Sequence, residues 1–106
     1  MHISTTETIP GRRTTGLCGV AMGSTVRTKN VGKDIGASLK SLVGGELKSY
    51  SDMLVDARAQ AMARMETQAA EMGADAIVNL RLTTSQVVGG AAELLAYGTA
   101  VTTEAE

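Results

Sequence analysis

The sequence predicts an α+β domain: a small antiparallel or mixed sheet with a short and a long helix packed on one side. Three observations carry that reading. From Tyr50 to Met72 the chain has neither Gly nor Pro. Short β-branched stretches bounded by Gly and Pro lie on both sides of that run. The last of them, "ELLAYGTAVTT", alternates cleanly, with Leu95, Tyr97, Thr99 and Val101 against Leu94, Ala96, Gly98 and Ala100.

The elements follow in order. "HISTTETIPG" reads as a short strand that closes in a turn at Pro10-Gly11. "TTGLCGVAMG" alternates loosely, placing Cys18, Val20 and Met22 on one face and Leu17, Gly19 and Ala21 on the other. "STVRTKN" continues as strand, with Gly23-Ser24 expected to bend or bulge between the two. Ile35, Leu39, Leu42 and Val43 form a helical stripe, which predicts a short helix capped by Asn30 or Asp34. Gly44 suits the residue after that helix, and Gly45 gives the chain room to reverse. Backbone approach to a ligand is the other reading of this glycine pair.

The long helix is expected from Tyr50 to Met72. Ser49 and Asp52 have capping-box spacing, and Gly73 supplies the stop. With Leu54 at zero on a helical wheel, Tyr50, Ala57, Ala61, Met62, Met65, Ala69 and Met72 fall in one arc, and Arg58 falls inside it. Ala59, Ala63 and Ala70 lie nearly opposite. Small residues there permit a second close contact, although alanine is also simply a strong helix former. "ADAIVNLRL" reads as a strand with Val78, Leu80 and Leu82 on one face and Ile77, Asn79 and Arg81 on the other. "TTSQVVGGA" reads as a loop or distorted strand.

The chain has 106 residues, which predicts one domain over residues 1–106. Its core material is unusual, with two Tyr, no Phe, no Trp and twelve Gly. Small side chains bury little apolar area each, so a lone monomer is short of stabilising surface and self-association is expected. The formal net charge of -1 gives no electrostatic reason to expect nucleic acid or an anionic membrane. Stacking aromatics for single strands are absent as well. A lone cysteine, Cys18, allows no intrachain disulfide, and neither a secretory signal nor an apolar run of about 18 residues is present. A cytoplasmic, soluble protein is expected.

Several motifs together resemble the YbjQ-like family of small bacterial and archaeal proteins of unknown function, which carry a heavy-metal-binding label. The residues are "TTETIPG", "GVAMGSTVRTKNVGKDI", "VGGELKSYSDML", "ARAQAMARM", "GADAIVNLRL" and "AYGTAV", spread over nearly the whole chain. The resemblance implies a sheet carrying helices and a ring assembly, with a homopentamer expected. It implies no established reaction. It is weakest around residues 86–92.

The candidate chemistry is sparse. For a heavy or transition metal ion the chain offers Cys18, with His2 sixteen positions away and no CxxC or HxxxH. One subunit builds no convincing site, whereas a ring would repeat Cys18 about an axis or set it beside a neighbour's residue. A small, buried, apolar role is the plainer reading of Cys18. No base is near enough in sequence to make it a nucleophile. Arg27, Lys29 and Lys33 cluster at the start of the first helix and suit an anion, or form a solvated basic rim. The resemblance matches Arg58 to a position usually occupied by Arg and Glu46 to a common acid. Arg58 is therefore read as a structural anchor paired with a carboxylate such as Glu46 or with loop carbonyls, against a head that snorkels to water. The function expected is a non-enzymatic ring-forming protein that binds a metal or small ligand where subunits meet. A small enzyme with an interface active site and a purely structural oligomer are the alternatives.

Overall fold

The computed structural model describes residues 1–28, 45–86 and 91–106. The chain runs β1 (His2–Ile3), β2 (Arg12–Thr28), α1 (Gly45–Glu71), β3 (Ala76–Gln86) and β4 (Ala91–Ala105). The strands form one four-stranded sheet in the order β1-β3-β4-β2. β1 pairs parallel with β3, and the other two pairings are antiparallel. α1 packs on one face, mainly over β2. Among the described residues, the α+β expectation is met by one helix on a mixed sheet. The expected short helix over Ile35–Val43 lies outside the described residues.

Helix and sheet meet through small residues. Ala57, Ala61, Met65 and Ala69 are fully buried along one stripe of α1, as the wheel predicts. They face Ala21 on β2 and Ala96 and Ala100 on β4, with Ile77 of β3 completing the core. At Gly23 the contact is backbone to backbone: an added Cβ would collide with the N of Met65 and the O of Ala61. Close approach of two backbones compensates in dispersion for the missing large side chains. Buried Thr25 gives its hydroxyl proton to the Ala57 carbonyl at 3.2 Å, so its polar atom is satisfied.

α1 already includes Gly45, earlier than the expected start at Tyr50. Gly45 is therefore helical instead of providing a reversal, and Ser49 lies inside the helix, which removes the Ser49–Asp52 capping box. The helix ends as expected. Gly73 has φ 87°, its N–H reaches Ala70 O at 3.0 Å, and the Ala74 N–H reaches Ala69 O at 3.1 Å. This is the double bond pattern of a glycine C-cap.

β2 is one continuous strand, so Gly23-Ser24 is not a bend. Its irregularities lie earlier, between Thr14 and Gly16 and between Leu17 and Gly19. At the second, Leu17 opposes Val101 and Gly19 opposes Ala100, which leaves Cys18 as the extra residue. The bulge turns Cys18 onto the helix side, against the core, while Val20 and Met22 stay on the outer face. The expected common face of these three residues is thus broken. β3 carries its own irregularity between Val78 and Arg81, where Asn79 adopts φ 54°. Val78 is thereby separated from Leu80, which packs with Ile77 on the helix side. Thr83–Gln86, read as loop or distorted strand, continue β3 against β4.

The outer face is covered at one end. Pro10 and Gly11 make a turn closed by Arg12 N–H to Ile9 O at 3.0 Å, with Gly11 at φ 80°. This holds Ile9 over Ala76, Val78 and Val101. Beyond it, Leu17, Val20, Met22, Val26 and Tyr97 remain exposed on the same face.

Candidate functional site

β4 is an inner strand, so its closing stretch "YGTAVTT" cannot serve as a pairing edge between subunits. Gly98 is buried within the chain, where an added Cβ would lie 2.6 Å from Ile77 Cγ2. The close approach that Gly98 permits is used inside the fold. Among the described residues, the two sheet edges are β1 and β2.

At the β1 edge, the N–H groups of His2 and Ser4 donate to Asp75 O and Ile77 O at 3.0 and 2.9 Å. The peptide groups of Ile3 between them consequently face outward. Three residues tie down the segment that follows. Arg81 donates from Nη1 to Thr5 O at 3.0 Å, and Asn79 and Leu80 donate N–H groups to Thr6 O and Ser4 O, both at 3.0 Å.

At the same end, a polar cluster that sequence reading missed locks β2, β4 and the helix-to-β3 turn. The Asp75 carboxylate accepts the Thr103 N–H at 2.8 Å and the Thr103 hydroxyl at 2.9 Å. Arg12 donates from Nε to Thr103 Oγ1 at 2.8 Å and reaches Asp75 Oδ2 at 3.4 Å. The Thr103 hydroxyl holds the Asp75 acid below its ordinary range. Partial desolvation opposes it, and the Thr103 N–H and the Arg12 charge assist. Arg13 and Glu104 pair beside this cluster.

The metal candidates lie apart. Cys18 is half-buried in the β2 bulge, and His2 is exposed on β1. With two strands between them, they sit about 14 Å apart at the usual strand spacing. Among the described residues no group of three or more His, Cys, Asp and Glu side chains converges. The described residues of one chain therefore do not fit a metal ion by themselves. The two candidates share a row, because His2 is level with Ala76, Ala76 with Val101, and Val101 with Leu17, the neighbour of Cys18, but they lie on opposite faces: Ala76 sits on the outer face under Ile9, whereas Cys18 is on the helix side.

The remaining candidates are dispersed. Arg27 lies near the end of β2, while Lys29, Lys33 and Gly44 fall outside the described residues. Glu46 and Arg58 are both on α1. Twelve residues of helix separate them by about 18 Å, so one chain does not bring them together. Arg58 is exposed, which puts its head in water.

These features can now be set beside known proteins. The family profile described as "Putative heavy-metal-binding" matches residues 1–104. The chain belongs to this YbjQ-like family. It is 60% identical over 99 residues to a UPF0145 protein of Archaeoglobus fulgidus, covering 93% of this chain and 92% of that one. A UPF0145 protein of Clostridium perfringens is 54% identical over 101 residues, covering 95% of each. A crystal structure from Pediococcus pentosaceus, of a protein of unknown function in the DUF74 family, superposes with a TM-score of 0.67 at 16% identity, covering 98% of each chain. That likeness shows the YbjQ-like fold alone.

Proposed function

We propose that this YbjQ-like chain is a self-assembling, non-enzymatic binding protein whose soft-metal site is built between copies. The observation that carries this reading is the exposed apolar run Leu17, Val20, Met22, Val26 and Tyr97 on the outer face, because such patches mark interaction surfaces. In a head-to-tail ring Cys18 is repeated about the axis. A set of thiolates suits a soft or borderline ion such as Cu(I) or Zn(II). A pentamer is the ring size that the family resemblance implies.

The test is titration of the purified protein with Zn(II) or Cu(I), followed by elemental analysis after gel filtration. Metal retained at a fixed ratio to chain is expected, and Cys18→Ser should lower it at least tenfold. Retention unchanged in Cys18→Ser, or no retention by the parent protein, would remove the metal from this reading. Self-association would then stand or fall on its own measurement.

A further inference from the structure

β2 is seventeen residues long, lies at a sheet edge and exposes apolar side chains on its outer face. Such a strand is a ready template for pairing with another chain unless it is blocked. Its first half is blunted by two bulges, at Thr15 and Cys18, which interrupt the even spacing of edge groups. The middle is blunted differently. The Met22 N–H donates to Gln68 Oε1 at 2.5 Å, and Arg64 donates from Nη1 to the Ser24 carbonyl at 2.6 Å. Met22 and Ser24 are two residues apart, so these groups point to the same side of the strand. Arg64 and Gln68 are four apart on α1, so their side chains leave the helix together. The strand and helix spacings match because Gly23 lets α1 lie directly against β2.

We propose that Arg64 and Gln68 form an edge guard. They occupy the outward Met22 N–H and Ser24 carbonyl and prevent a second copy from adding its own β2 there. The guard is independent of any metal, and it stands whether or not the chain forms a ring.

The experiment removes the guard while preserving helix-forming character. Gln68→Met keeps the bulk and deletes the acceptor, Gln68→Glu keeps the acceptor, and Arg64→Ala deletes the donor. Amide hydrogen exchange at Met22 is read alongside mass by sedimentation. In dilute Gln68→Met, Met22 exchange is expected to rise at least tenfold, with Gln68→Glu staying near the parent rate. In concentrated Arg64→Ala/Gln68→Met, species larger than those of the parent protein are expected. Within them Met22 is protected again, because a second strand accepts its N–H. Unchanged exchange in Gln68→Met, parent mass in the double variant, or large species in which Met22 still exchanges freely would each overturn the proposal. If the double variant fails to fold, the same readings on Gln68→Met alone decide it.

Discussion

Gly23 and Met65 lie with their backbones in direct contact, leaving no room at Gly23 for even a methyl group. This crossing sets the distance between helix and sheet. It explains how a core with so little aromatic content packs at all, since Ala21, Ala61, Ala69, Ala96 and Ala100 fill the space that larger side chains occupy elsewhere.

Gly23→Ala is therefore expected to cost at least about 3 kcal/mol, because neither backbone can yield locally. Gly23→Asn should be no better. Gly73 has open space around it and a left-handed backbone, so Gly73→Ala should cost only about 1 kcal/mol and Gly73→Asn less. Urea unfolding of the four variants separates steric from conformational demand.

The Asp75 cluster predicts an acid limb in stability. Its folded-state acidity is raised by the Thr103 hydroxyl, the Thr103 N–H and Arg12, so the carboxylate form is the one the fold favours. The stabilisation is complete above the unfolded value of about 3.9 and is lost as pH falls through the lower folded value. Urea unfolding of parent and Asp75→Asn should differ by a constant amount above about pH 5 and converge on further acidification. A difference that grows toward low pH would contradict the assigned direction.

Arg58 is expected to be energetically quiet for folding. Its side chain is exposed, and Glu46 is too far along the same helix to pair with it. Arg58→Met should change unfolding free energy by no more than about 0.5 kcal/mol. A loss of several kcal/mol would restore the buried-anchor reading.

What was legible in the sequence follows from what is local. The glycine-free run, the Gly73 stop, the Pro10-Gly11 turn and the buried alternation of Leu94, Ala96, Gly98 and Ala100 each depend on neighbouring residues, and each was readable. Bulges were not. A strand that inserts Cys18 or shifts at Asn79 shows only a broken alternation, which looks the same as a bend. Gly23 reads in the sequence as a bend or bulge, because its true partner, Met65, lies far along the chain, as Ile77 does from Gly98. The Asp75 cluster joins residues 28, 63 and 91 positions apart in ordinary residue types, so no spacing pattern could have exposed it. "GAD" following the helix stop was its one local trace.

The most direct test of the central claim, that copies of this chain self-assemble, is sedimentation equilibrium of the purified protein at micromolar concentration. A homo-oligomer is expected, with a pentamer as the ring size that the family resemblance implies. A stable dimer or hexamer would keep self-association and overturn the ring size. A stable species at the monomer mass of 10.9 kDa would contradict the claim.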